Sequence, residues 1–459
     1  MKDKQLHRNK KEWVKKSVAS ALLLNMLCSS VAPVMAYAES GQTTATVSTN
    51  AASQSAMKVP SVDSIGLNVS SAVLLDAATG QVLLSKNSDV PLPPASMTKM
   101  MTEYIVAEQV KQGKLSWDTM VTTSENASLQ TGSKVFLAEG DQHTVKDLYI
   151  AMAVGSANDA TVALAEYVAG SEQQFVKMMN ETAQRMGMKT AYFINATGLS
   201  RADMPEKYRP NTDRETVMSA MDAAILAKYI VNDHPDFNQF TTIQSYKFRP
   251  RDKAPIVNLD WMLEANKSIP NFKAYAYEGL DGLKTGHTEQ AGYCFTGTAV
   301  RNGMRLISVV MGTDSEAHRF TETRKVLDYG FNNFEEKQII APKSTVKGVE
   351  KVAIKKGKET KVPVVTDQAV SFVVPKGTNP TNVTFTTKID DNVVAPIKAG
   401  TKVGTITYTY KVDGTNQTEQ RTVNLVAAQD VDKASGFRLF FRSIKNFFVD
   451  LFDGVKNLF

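Results

Sequence analysis

Three short runs carry side chains suited to acyl-transfer chemistry, in the order Ser96-Met97-Thr98-Lys99, Ser156-Ala157-Asn158 and Lys284-Thr285-Gly286. A serine hydroxyl is a poor nucleophile until a neighbouring base removes its proton. Residues three apart on a helix share a face, which brings Lys99 within reach of Ser96 Oγ. A lysine acts as that base only when burial or a second cation lowers its pKa. Met97, Met100, Met101 and Ile105 supply apolar surroundings, and Lys284 is a candidate second cation. Ser96 near a helix N-terminus also offers its own backbone N–H to an oxyanion hole. Ser156 and Asn158 bring a hydroxyl and an amide; Lys284 and Thr285 bring a charge and a hydroxyl suited to a substrate carboxylate. Gly286 permits close approach of a ligand to backbone. Each run alone has a plainer reading: a helix cap and a solvated lysine for the first, a helix cap for the second, a strand-end turn for the third.

The elements around these runs give them context. Ala72–Leu75 and Gln81–Leu84 flank Asp76-Ala77-Ala78-Thr79-Gly80, the pattern of a β-hairpin. Pro93-Pro94 precede a helix expected from Ser96 to about Lys111. Two helical runs, Val145–Val154 and Ala160–Val168, are interrupted at Gly155-Ser156, where side chains can project into a cleft. Helices are also expected at Glu172–Met186, Glu215–Val231 and Ser315–Tyr329, and strands at Tyr293–Val300 and Leu306–Met311 around Arg301-Asn302-Gly303. This order predicts an α+β domain with one antiparallel sheet covered by helices, spanning residues 62–341. After Pro342 the composition shifts. Alternation such as Thr405-Ile406-Thr407-Tyr408-Thr409-Tyr410 between Gly, Pro and Asn turns predicts a small, sandwich-like all-β module over 342–431.

The chain of 459 residues carries 53 Lys and Arg against 47 Asp and Glu, a formal charge of +6. Residues 1–38 hold seven bases and two acids, which leaves the remainder almost balanced. No global basic field is present, and nucleic-acid binding is excluded as the main function. The same 38 residues have the layout of a secretory signal: a basic stretch to Lys16, an apolar core from Val18 to Leu27, and Ala36-Tyr37-Ala38 with cleavage expected before Glu39. The apolar core is too short for a conventional membrane span. Residues 39–61, rich in Ser, Thr, Ala and Gln, are expected to form a flexible leader. Cleavage would leave Cys294 as the only cysteine, in the apolar run Tyr293-Cys294-Phe295, where packing is its expected role. His143, His234, His287 and His318 lack ligand spacing, and no metal is expected.

Residues 435–459 read as an amphipathic helix. At 100° per residue, Phe437, Phe440, Phe441, Ile444, Phe447, Phe448, Leu451, Phe452, Val455, Leu458 and Phe459 fall within an arc of roughly 140°. Arg438, Arg442, Lys445, Asp450, Asp453 and Lys456 lie opposite; Leu439 and Val449 break the pattern. Charges interrupt every apolar run, so in-plane binding to a membrane surface is expected, with the bases near anionic headgroups.

The three motifs together resemble those of low-molecular-mass penicillin-binding proteins. Pro94-Ala95-Ser96-Met97-Thr98-Lys99-Met100-Met101-Thr102 is similar to their nucleophile segment. Gly282–Thr288, Ala291–Phe295 and Asn195-Ala196-Thr197-Gly198-Leu199 resemble D-alanyl-D-alanine carboxypeptidases in particular, over roughly residues 62–335. The resemblance implies peptidoglycan stem peptides ending in D-Ala-D-Ala as substrate, β-lactams as covalent inhibitors, no cofactor, and a place on the outer face of the cytoplasmic membrane. It implies Ser96 as nucleophile, Lys99 as its base, Ser156 with Lys284 as the proton relay, and Asn158 as a ligand of the substrate amide. The N–H groups of Ser96 and His287 would form the oxyanion hole, beside Gly286. Thr285, assisted by Arg319, would bind the terminal carboxylate, and Asp222 matches a carboxylate on a loop edging the site. The same fold also serves DD-endopeptidases and serine β-lactamases. The Ser-Ala-Asn motif and the spacing of Glu206 from Asn211 depart from the class A β-lactamase pattern. A non-enzymatic wall-binding protein would not need all of the motif serines and lysines.

Overall fold

The computed structural model describes residues 45–47, 58–378, 383–411 and 418–456, with side chains described from 58 to 449. The expected signal sequence, Cys28 and most of the expected leader therefore lie outside the described residues.

The first domain is built on five antiparallel strands: β1 (Ser71–Asp76), β2 (Val82–Lys86), β3 (Leu280–Thr288), β4 (Gly292–Arg301) and β5 (Met304–Thr313), in the order β2-β1-β5-β4-β3. All six residues of β1 are buried because both faces of the sheet are covered. Val73 and Leu75 meet one helical layer, formed by α1 (Lys99–Lys111), α4 (Glu172–Met186) and α5 (Ala220–Asp233). Ala72 and Leu74 face the opposite layer, where α6 (Glu316–Asn333) contributes Phe320, Val326 and Leu327. A third apolar cluster unites α2 (Val145–Gly155) and α3 (Asn158–Ala169) with Phe240 and Phe248, making a helical lobe beside the sheet.

Side-chain caps set several boundaries. The hydroxyls of Thr144, Ser171, Ser219 and Ser315 accept the N–H of Asp147, Gln174, Asp222 and His318. The cap at Ser219 explains why α5 begins later than the expected Glu215. Met218 and Val217 just before it form isolated bridges to Leu92 and Tyr192, so that stretch is extended.

The β module starts before the composition shift that suggested residue 342. β6 (Phe334–Ile340) leaves α6 directly and pairs with β9 (Val370–Pro375). A second sheet runs β10-β11-β12-β8-β7 through Val383–Ile389, Lys402–Lys411, Thr418–Ala427, Lys361–Thr366 and Lys351–Ala353. Within the stretch expected to be a flexible leader, Ala45–Val47 extends this sheet as a short strand on β10. The predicted alternation holds: Ile406, Tyr408 and Tyr410 point into the core with Phe372 and Phe385. α7 (Gly436–Lys456) ends the described chain. No described helix is long and apolar enough to cross a membrane.

Candidate active site

The Ser96–Lys99 run does not begin as regular helix. Ala95–Thr98 form a single tight helical turn before α1, and Ala95 takes a left-handed conformation with φ 49°. Such backbone in a non-glycine residue is costly and recurs at functional sites. Two glycines let other segments close on this turn. A Cβ on Gly198, which has φ +84°, would lie 1.9 Å from the carbonyl oxygen of Ala95. One on Gly286 would lie 2.6 Å from that of Pro94. The Ser96 turn is thus wedged between the loop after α4 and the edge strand β3.

Within this wedge Lys99 Nζ donates to Ser96 Oγ at 3.0 Å and to the carbonyl of Thr197 at 2.8 Å. Lys99 is fully buried among Met97, Met100 and Met101. Burial, reinforced by the charge of Lys284, pushes its pKa well below the ordinary lysine value. Both the apolar run and the second cation anticipated from sequence are therefore present. Thr197 as the acceptor that orients Lys99 was foreshadowed only by the Asn195–Leu199 resemblance.

The second motif occupies the corner between α2 and α3. Ser156 caps α2 in a left-handed conformation, φ 56° and ψ 30°, which turns its hydroxyl toward β3. Lys284 Nζ, also buried, donates to Ser156 Oγ at 2.9 Å and approaches the Thr285 carbonyl at 3.3 Å. Burial first, then the nearby Arg319 guanidinium, lowers Lys284 to about 8, while Glu103 and Asp260 oppose the shift. Asn158 donates to Thr131 O at 2.6 Å; its Oδ1 is buried with no hydrogen-bond partner.

A cleft of about 290 Å³ is lined by Ser96, Ser133, Ser156, Leu259, Thr285, Gly286, His287, Tyr293, Glu316 and Arg319. It gathers residues from all three motifs. Two larger cavities, of about 310 and 430 Å³, contain none of the motif residues and are set aside as reaction sites. Arg319 enters from the first turn of α6, 3% exposed. Its guanidinium bonds Glu316 at 2.8 Å and lies 5.7 Å from the Tyr293 ring, and its Nε is buried without a partner. His287 stacks on Tyr293 with ring centroids 4.0 Å apart, which fixes the outer end of β3.

Asp222 is a correction. It lies in the first turn of α5, and its carboxylate accepts the N–H groups of Lys189 and Thr190 and the hydroxyl of Thr190. It pins that loop and is not on the cleft. Glu206 and Asn211 are exposed and do not line it either. Cys294 is buried, and burial raises its thiol to about 11, the behaviour of a packing residue. Sequence reasoning missed Ser133, Leu259 and Glu316, which reach the cleft from loops or a helix end and carry no local signature. It also missed the buried Glu103 and Asp260.

Known proteins are similar to this chain in sequence and in fold. Residues 55–315 match the family described as D-alanyl-D-alanine carboxypeptidase, and residues 334–433 match the C-terminal domain of penicillin-binding protein 5. The D-alanyl-D-alanine carboxypeptidase DacF of Bacillus subtilis is 36% identical over 373 residues, 81% of this chain and 88% of its own length. DacC of Escherichia coli is 32% identical over 84% of this chain and 88% of its own. Among solved structures, penicillin-binding protein 5 of Haemophilus influenzae superposes with a TM-score of 0.63 at 32% identity, covering 80% of this chain and 98% of that one. PBP3 of Streptococcus pneumoniae, described as a peptidoglycan synthesis regulatory factor, gives 0.67 at 30% identity over 80% and 100%. With both of its domains matched and its motif side chains converging on one cleft, the chain belongs to the D-alanyl-D-alanine carboxypeptidase family of enzymes.

Proposed function

We propose that this protein removes the terminal D-Ala from peptidoglycan stem peptides through a Ser96 acyl-enzyme. The observation that carries the reading is the unbroken contact from a buried, pKa-lowered Lys99 to Ser96 Oγ in the cleft. Ser96 Oγ attacks the carbonyl of the penultimate D-Ala while Lys99 Nζ takes the hydroxyl proton. The N–H groups of Ser96 and His287 hold the oxyanion; both residues line the cleft. As the tetrahedral adduct collapses, the C–N bond breaks, and Ser156, in contact with Lys284, passes a proton to the departing amine, while the proton that Lys99 took from Ser96 replaces it and leaves Lys99 a free base again. Thr285 and Arg319 receive the terminal carboxylate, and Asn158 meets the substrate amide. Water then adds to the ester, releasing the shortened peptide and restoring Ser96. In a β-lactam the broken C–N bond lies in a ring, so the amine stays tethered and the acyl-enzyme persists.

The exposed face of α7 supports peripheral attachment to the outer face of the cytoplasmic membrane after export. Phe437, Phe440, Phe441, Phe447 and Phe448 are each more than half exposed, and Ile444 lies between them. Arg442 has a different task from the headgroup contact expected of it. Its guanidinium donates to the carbonyls of Gly357 and Lys358 at 2.9 and 3.0 Å, so this helix face docks on the β module.

Release of D-Ala from diacetyl-L-Lys-D-Ala-D-Ala, followed together with covalent labelling by a fluorescent penicillin, tests the reading. Labelling and D-Ala release support it. A protein that cleaves only cross-linked peptide dimers is an endopeptidase, and one that does neither is not this enzyme.

A further inference from the structure

Lys99 and Glu103 share one stripe at the start of α1, just after the turn that holds Ser96, and Glu103 has no place in the chemistry above. Glu103 follows Lys99 by one helical turn, a spacing at which side chains share a face. It is 2% exposed, and its Oε1 has no hydrogen-bond partner. A buried carboxyl oxygen without a partner is expensive to keep, and hydrophobic residues would fill the site at lower cost. Two buried lysines, Lys284 on β3 and Lys99 one helical turn before it, both act on it through space. We propose that Glu103 is a positioning residue for the reaction. Its carboxyl group supplies the counter-charge that fixes how many protons the Lys99–Lys284 pair carries, and so decides when Lys99 is a free base. This inference rests on the proposed acylation of Ser96.

The surroundings favour such a role. Burial raises Glu103 to about 7, against the pull of the two lysines, while Lys99 and Lys284 are both lowered. The carboxyl group is thereby shifted up and the amines down, toward one another, and the titration belongs to the set. The other charged and titratable groups are few. Asp159 on α3 acts on Lys99, but backbone N–H groups of Val135, Leu137 and Ala160 already satisfy its carboxylate. Asp260 and Arg319 act on Lys284 from the far side. Tyr149 on α2 donates to the Glu103 backbone carbonyl at 3.4 Å, and burial holds its phenol protonated. Glu172 on α4 is held by Asn126 and the Ala196 N–H. On α5, Asp233 is engaged by Tyr104. Glu103 is therefore the acidic group placed to answer both lysines.

The test is the pH profile of the second-order rate of acylation by penicillin in the full-length protein, wild type against E103Q and E103D. Removing the anion lowers the Lys99 pKa further, so the acid limb of E103Q should move to lower pH by about one unit, a tenfold change in the free-base fraction. The plateau should fall about three- to tenfold, because a less basic amine accepts a proton less well. E103D keeps the charge and should keep the wild-type limb. E103A should show the same downward shift and gives the same reading if E103Q does not fold. An E103Q or E103A limb that superimposes on wild type overturns the inference, as does an E103D limb that moves as far as that of E103Q. A wild type that is never acylated overturns the proposed function instead.

Discussion

Lys284 Nζ and Ser156 Oγ stand 2.9 Å apart although 128 residues separate them in sequence. The contact joins the outer edge strand of the sheet to the left-handed corner of the helical lobe, so the cleft exists only where those two bodies meet. Ser96 reaches the same cleft from a third direction, held by Gly198 and Gly286. Activity should therefore respond both to the reacting groups and to the backbone contacts that set their separation.

Ser96→Ala should abolish D-Ala release and covalent penicillin attachment together, since the attacking oxygen is lost. Lys99→Met, which keeps bulk without the amine, should slow acylation by about 10²- to 10⁴-fold, the usual range for a positioned base. Mass spectrometry of the penicillin adduct checks both. An adduct on the Ser96→Ala protein, mapped to another residue, would move the nucleophile elsewhere.

Arg319→Ala should weaken turnover of peptides with a free C-terminal carboxylate by about 10- to 100-fold, as a charge-assisted contact disappears. Amidating that carboxylate should remove most of the difference from wild type. Equal losses on both substrates would assign Arg319 to holding α6 against Tyr293 and Phe320 rather than to recognition.

Gly198→Ala tests the wedge. The left-handed backbone alone costs a side chain about 1–2 kcal/mol, which lowers Tm by about 2–8 °C. The new Cβ must also push the Ala95 carbonyl away, because 1.9 Å is far inside contact distance. Displacement of the neighbouring Ser96 should cut the acylation rate by about tenfold or more. A variant with wild-type rate and Tm would show that the segments are not locked.

The pH profile of kcat/KM should turn down above about 8. Lys284 is lowered to about 8, so it is charged below that pH and loses its proton as pH rises through it, removing the cation beside Ser156 and the carboxylate site. The acid limb belongs to Lys99 and Glu103. A rate that stays flat from pH 7 to pH 10 would show that the Lys284 proton is not needed.

Truncation after Ser435 removes α7 and spares the bond from Ala434 N to Lys356 O. The shortened protein should stay in the supernatant with anionic vesicles while the full chain sediments, with activity on small peptides unchanged. Equal sedimentation of both would place the membrane contact outside the helix.

The sequence by itself determined the order of elements and singled out the residues proposed to react. Ser96 and Lys99 are close in the chain, and short-range helical geometry almost suffices to bring them together. The β1–β2 hairpin, the helix Glu172–Met186 and the alternation through Thr405–Tyr410 were legible because each writes its period into a few adjacent residues. The amphipathic tail was legible for the same reason. The tertiary structure alone decided how Lys284 meets Ser156, how Thr197 receives Lys99, and that Ser133, Leu259 and Glu316 line the cleft. It moved Asp222 off the site, because its fate was set by two N–H groups of a loop more than thirty residues away. It started the β module at Phe334, since pairing with Val370–Pro375 is not a local property. It also exposed Glu103, whose sequence context reads as one of several polar positions on a mixed helix. Burial and long-range charge turn the same residue into the counterpart of two lysines, and neither is encoded within a turn of chain.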